Sequence, residues 1–137
     1  MHTSIRLART AAALMAVLSL SLASSARADH HAVKVASSDK LGKYLTDAKG
    51  MTLYVFKKDS PGKSACAGDC VAKWPLYFAE KVEPGALAAK DFSTIAREDG
   101  KKQTAYKGMP LYYFAGDKAP GETAGQGLRD VWYVAAP

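Results

Sequence analysis

Gly50-Met51-Thr52-Leu53-Tyr54-Val55-Phe56-Lys57-Lys58-Asp59 returns at an offset of 58 as Gly108-Met109-Pro110-Leu111-Tyr112-Tyr113-Phe114-Ala115-Gly116-Asp117, with six of ten positions identical. Trp74 and Trp132 keep the same offset, and Pro61-Gly62 answers Pro120-Gly121 after a one-residue slip. A copied segment within so short a chain predicts two related halves of one domain. Side chains two apart share one face of a strand, so Tyr54 and Phe56 point one way and Leu53 and Val55 the other, as do Tyr112 and Phe114 against their neighbours. Apolar character on both faces predicts a strand covered from two sides. Asp59 and Asp117 follow directly, where a carboxylate can accept backbone N–H bonds and fix the ensuing Pro-Gly turn. That role is favoured over metal or substrate binding, and Met51 and Met109 are read as core.

Working outward, strands are expected at Ala32–Ala36, Leu41–Thr46, Phe92–Ala96, Gln103–Tyr106 and Val131–Ala135, which are rich in β-branched and aromatic residues. Asp99-Gly100 between two of them predicts a tight hairpin. Only Pro84–Lys90, with its run of alanines and leucine, reads as helical, for a turn or two. Short strands separated by Gly- and Pro-rich turns predict an all-β, mostly antiparallel fold, a small sandwich or a partly open barrel built from the two halves. The domain is expected over 41–137, with 29–40 as a partly flexible N-terminal arm.

The start of the chain bears on its compartment. Arg6 and Arg9 precede an apolar run from Ala11 to Ala23, and Ala26-Arg27-Ala28 has the small-x-small form of a cleavage site, so residues 1–28 read as a signal peptide cut after Ala28. The run falls short of the ~20 apolar residues that span a bilayer. Cleavage would remove three arginines and no acid, lowering the net charge from +6 to +3. Lys57-Lys58 and Lys101-Lys102 are the only basic doublets of the mature part and acids surround them, which argues against a nucleic-acid-binding stripe. The expected location is periplasmic or secreted. Cys66 and Cys70 are the two cysteines, and in an oxidising compartment they are expected to pair. Closing so short a loop stabilises by about 2 kcal/mol on the chain-entropy formula.

The doubled Tyr-x-Phe-x-x-Asp pattern, the segment from Cys66 to Pro75, and the ending from Gly125-Gln126-Gly127 to Trp132-Tyr133 together resemble the secreted-repeat lipoprotein family with its Y-x-[FWY]-x-x-D motif. The resemblance covers roughly Leu41 to Ala136. It implies an envelope or secreted location and a duplicated β module, and no reaction, because the family is one of unknown function. No cysteine lies near the cleavage site, so the lipid anchor of many members is not expected here.

Three kinds of chemistry bear on these residues. Asp29-His30-His31 at a newly exposed N-terminus would offer an α-amine, two amide nitrogens and an imidazole, the square-planar nitrogen set favoured by Cu(II) and Ni(II). A frayed tail with idle histidines is the plainer reading. Cys66 and Cys70 could form a redox pair or hold Cu(I), although three intervening residues depart from the two of thioredoxin-like motifs. Hydrolysis through a Ser-His-Asp or Cys-His arrangement lacks a base, since His30 and His31 are the only histidines after the signal peptide. The reading adopted is a non-enzymatic module binding an envelope partner or small ligand, with Tyr54, Phe56, Asp59, Trp74, Tyr112, Phe114, Asp117 and Trp132 as motif residues and no cofactor. Tyr113 and Tyr133 complete an aromatic set divided between core and a binding face.

Overall fold

The computed structural model describes residues 31–137. Strands β1 (Lys34–Ser38) and β2 (Gly42–Thr46) form one antiparallel hairpin, β3 (Tyr54–Phe56) pairs with β7 (Trp132–Val134), and β4 (Phe92–Ala96), β5 (Lys102–Tyr106) and β6 (Met109–Pro110) form a three-stranded sheet. One short helix, α1 (Asp69–Lys73), and two 3₁₀ turns, Ala89–Asp91 and Leu128–Asp130, complete the elements. Among the described residues the fold is therefore mostly antiparallel β in three small sheets, with no closed barrel. Residues expected in the N-terminal arm supply β1, which begins at Lys34 rather than Ala32 and ends at Ser38.

Turn chemistry explains the hairpins. The Asp99-Gly100 turn joins β4 to β5 as expected: Gly100 takes a positive φ of 82°, and Asp99 Oδ1 accepts the Lys101 N–H. Between β5 and β6 lies a two-residue loop, Lys107-Gly108, with φ of 50° and 84°. Two positive φ values in succession match the twist of paired strands, and glycine accepts one of them without steric cost.

Two expectations about local structure are corrected. Pro84–Lys90 is not a helix; Leu87 N–H reaches Pro84 O, but Gly85 has a φ of 56°, which breaks the first turn, and only Ala89–Asp91 winds as 3₁₀. The helix forms instead at Asp69–Lys73, beside the cysteine loop, and Pro75 follows its end. The second motif copy also departs from a regular strand. Its N–H groups go to separate partners, Leu111 to Thr104, Tyr112 to Tyr54, Tyr113 to Pro75 and Ala115 to Lys73, so no single neighbour sets a ladder.

These scattered bonds stitch the small sheets together. Leu45 N–H reaches Ala135 O, Ala135 N–H reaches Leu53 O, and Thr104 N–H reaches Tyr77 O. Two cores result, one on each side of the motif segments. Leu53 and Leu111 enter the first with Val33, Leu45, Tyr77 and Tyr106, while Tyr54 and Tyr112 enter the second with Phe56, Cys66, Trp74 and Trp132. The two-faced apolar pattern is accounted for by this double cover. Met51 and Met109, read as core from the repeat, are only half-buried, at the rim of their turns.

The halves are joined by reciprocal contacts. Tyr54 and Tyr112 exchange both backbone bonds, at 2.8 and 3.0 Å. Gly62 N–H donates to Gly108 O, and Gly121 N–H to Gly50 O. A Cβ on Gly50 would lie 3.1 Å from Pro120 Cβ and one on Gly108 3.2 Å from Pro61 Cβ, so the turn of each half packs on the glycine that opens the other half's motif. The side chains cross in the same way: Tyr54 Oη donates to Asp117 Oδ2, and Tyr112 Oη to Asp59 Oδ2, both at 2.7 Å and both buried. Charge-assisted bonds of this kind are worth more than neutral ones once water is excluded. In a double-mutant cycle of Tyr112→Phe and Asp59→Asn, followed by urea unfolding, each single change is expected to cost about 1–3 kcal/mol and the pair to couple by at least about 0.5 kcal/mol. Additive losses would show that the bond does not join the halves.

Candidate functional site

The motif aromatics form a palindromic stack. Phe56 lies 4.2 Å from Trp132, Trp132 lies 3.7 Å from Trp74 with planes 5° apart, and Trp74 lies 4.5 Å from Phe114. Tyr54 meets Trp74 edge-on at 5.4 Å and Tyr112 meets Trp132 edge-on at 5.2 Å. Because Phe56 corresponds to Phe114 and Trp74 to Trp132, an approximate twofold axis runs between the two indoles. Gly125 fits against this cluster because a Cβ there would come within 2.9 Å of both Trp74 and Tyr54 ring carbons.

Beside the stack opens a cleft of about 560 Å³, within the range of roughly 300–1,000 Å³ usual for small-molecule sites. Its floor is the four stacked rings. One wall is α1, through Asp69, Cys70 and Lys73, and the other is the 3₁₀ turn and its exit, through Leu128, Arg129 and Val131, with Lys58 completing the rim. Leu128 is exposed at 38 % on the side of the cleft. The wall it stands on is strained after Gly127: Arg129 and Asp130 have φ of 55° and 58°. A non-glycine residue held in this region costs on the order of 1–3 kcal/mol, and such costs gather at functional sites.

Cys66 and Cys70 are disulfide-bonded, with sulfurs 2.00 Å apart, and no described cysteine is free. Cys66 is buried in the second core while Cys70 faces the cleft. At the repeat offset the other half has Ala124 and Leu128, so the staple belongs to one wall alone.

The motif carboxylates are fully engaged. Asp59 Oδ1 accepts the Ala65 N–H at 2.6 Å, and Asp117 Oδ1 the Ala124 N–H at 2.9 Å, each in addition to its tyrosine. Asp47 does similar work without being part of the motif, accepting the Lys49 and Met51 N–H groups and the Tyr113 hydroxyl. Burial, reinforced by the neighbouring carboxylates, raises the Tyr54 and Tyr112 hydroxyls far above their ordinary values, so both stay protonated donors.

Arg97 was not singled out by the sequence, where it reads as one more charge before a surface turn. It is buried, donating through Nη1 to Ser64 Oγ at 2.6 Å and Gln103 Oε1 at 2.7 Å, through Nη2 to Cys66 O at 2.5 Å, and through Nε to Asp99. Ser64 Oγ in turn contacts Tyr112 Oη at 2.6 Å, which links Arg97 to the Asp59 pair and to the disulfide loop. Five donors in a rigid fork suit Arg to such a hub. The Asp117 pair has a simpler supplement, the Gly125 N–H donating to Tyr54 Oη.

Asp29 and His30 lie outside the described residues. His31 is described: its carbonyl accepts the Glu83 N–H, and its buried Nδ1 has no hydrogen-bond partner. No three His, Cys, Asp or Glu side chains converge as a metal cluster among the described residues. Tyr113 and Tyr133 are half-buried, and Lys57 Nζ sits 4.4 Å above the Tyr133 ring.

Burial pushes the Asp59 carboxyl above its ordinary value, opposed by the Ala65 amide, the Tyr112 hydroxyl and the Arg97 charge. A carboxyl raised in the folded state favours folding when protonated, so its contribution is complete below about 3.9, the unfolded value, and fades as pH rises through the folded one. The stability difference between wild type and Asp59→Asn, measured by urea unfolding at steps across the acid range, is therefore expected to move against wild type as pH rises. Movement in wild type's favour would mean that the hydrogen bonds and Arg97 outweigh burial.

A family model described as a secreted repeat of unknown function matches residues 35–77 and again residues 93–136. Each match contains one copy of the motif, the first holding Tyr54 and Asp59 and the second Tyr112 and Asp117. No curated protein and no solved structure matches the chain. Among the described residues no helix is long and apolar enough to cross a membrane. Matched over more than half its length, once in each half, the chain belongs to this family of secreted repeats of unknown function.

Proposed function

We propose that this chain is a non-enzymatic binding module of the cell envelope, periplasmic or secreted after cleavage at Ala28, that takes a small ligand or a segment of an envelope partner into the cleft between its two halves. The observation that carries this reading is the cleft itself, about 560 Å³ in volume, floored by aromatic rings from both motif copies. A rigid core stack beneath an open apolar wall suits recognition, because little side-chain freedom is lost on binding. The absence of any histidine from 32–137 and the full engagement of Asp59 and Asp117 argue against hydrolytic chemistry. Soaking crystals in a chemically mixed fragment library is expected to place most bound fragments in this cleft, and Leu128→Trp, which fills it, to exclude them. Fragments scattered evenly over the surface would overturn the reading.

A second reading has its own observation. His31 Nδ1 is an imidazole nitrogen without a hydrogen-bond partner, the donor atom that a Cu(II) or Ni(II) site on Asp29-His30-His31 requires. Those residues would hold the ion through the terminal amine, two amide nitrogens and this imidazole. Protein recovered from the periplasm is expected to begin at Asp29 and to bind one Cu(II) in titration, with His31→Ala weakening it by orders of magnitude. A different first residue, or binding indifferent to His31, would remove this alternative.

A further inference from the structure

The orientation of the stacked rings restricts what the cleft can hold. Trp74 has Trp132 against one face and Phe114 against the other, and Trp132 has Trp74 and Phe56. Both indoles line the cleft, yet with both faces covered they can present only their edges to it. The face of an aromatic ring carries partial negative charge and the edge partial positive charge. At the indoles a cation would need an open face and finds none, whereas an anion is attracted to the edges.

The rim has the same sign. Lys58, Lys73 and Arg129 line the cleft against a single acid, Asp69. Among the described residues none of the three is in an ion pair or has a side-chain hydrogen bond; the ion pairs found are Lys63 with Glu98 and Arg97 with Asp99. Arg129 is also held in the left-handed region, a conformation that glycine would adopt more easily and that places a charged residue at the lip. Leu128 and Val131 then offer an apolar surface beside the charges.

Resting on the cleft as the binding site, we infer that its ligand is a small organic anion, with a carboxylate, sulfonate or phosphate group set among the ring edges and rim cations and an apolar body against Leu128 and Val131. Cationic ligands are disfavoured by the rim charge and by the indole edges.

Three probes that share one ring system separate charge from shape: 2-naphthalenesulfonate, neutral 2-naphthol and 2-naphthyltrimethylammonium. The chain has two tryptophans, so the two indole N–H signals in a nitrogen–proton correlation spectrum report directly on the floor. The sulfonate is expected to shift both signals and to bind about tenfold more tightly than the naphthol, with the ammonium weakest. In the double variant Lys73→Gln/Arg129→Gln, both at exposed positions, sulfonate affinity should fall to that of the naphthol for the same variant. Equal binding of all three probes at the indoles would overturn the preference for anions and leave the cleft reading standing. Shifts confined to residues away from the indoles, or no shifts with any probe, would overturn both. Sulfonate binding unchanged in the double variant would also overturn the inference, since the rim cations would then play no part.

Discussion

Everything in this molecule depends on two buried tyrosine hydroxyls reaching across to carboxylates of the opposite half. Tyr54 to Asp117 and Tyr112 to Asp59, with the reciprocal backbone bonds between the tyrosines, convert two weak β units into one body. Neither unit could bury its own motif, because each tyrosine's acceptor belongs to the other copy. Such a bond also fixes registration: a buried carboxylate left without its donors costs far more than a shifted apolar contact. The Y-x-[FWY]-x-x-D pattern thereby has a physical reading. Tyr supplies the crossing donor, the aromatic two residues on joins the ring stack, and Asp receives the donor while tying down its own turn.

The copies differ in how the segment after the motif is held. In the first half the segment after the motif carries a disulfide, and Arg97 ties that loop, through Ser64 Oγ and the Cys66 carbonyl, to Gln103. In the second half alanine and leucine stand at the cysteine positions, and the chain is held by strained left-handed residues instead. One wall of the cleft is therefore stapled covalently and the other is bent by backbone strain. The floor, by contrast, keeps the twofold relation because both halves contribute the same rings to it. A symmetric floor between unlike walls makes the cleft asymmetric even though the unit is duplicated.

Much of this was legible in the residues. The motif copies told that the chain is duplicated, the alternation told that both faces are covered, and Asp99-Gly100 marked its hairpin. The second copy's strand was not legible, because whether a pleated segment forms a ladder depends on one neighbour answering all its N–H groups, and here three segments answer them. Arg97 was invisible for a related reason. A charge beside a turn looks solvated until distant acceptors, here Ser64, Gln103 and the Cys66 carbonyl, enclose it. The helix at Asp69–Lys73 escaped because five residues carry too little periodicity, while the alanines of Pro84–Lys90 suggested one that Gly85 breaks.

Sequence alone determined the class of fold, the duplication, the pairing of Cys66 with Cys70 and the membership that the motif announces, since each rests on residue type and spacing along the chain. Tertiary structure decided that the tyrosine–aspartate bonds cross rather than close within a copy, that the indoles stack face to face, and that the cleft shows only their edges. Those are relations between segments some sixty residues apart, and the approach of such segments is set by the packing of the whole body rather than by any local preference.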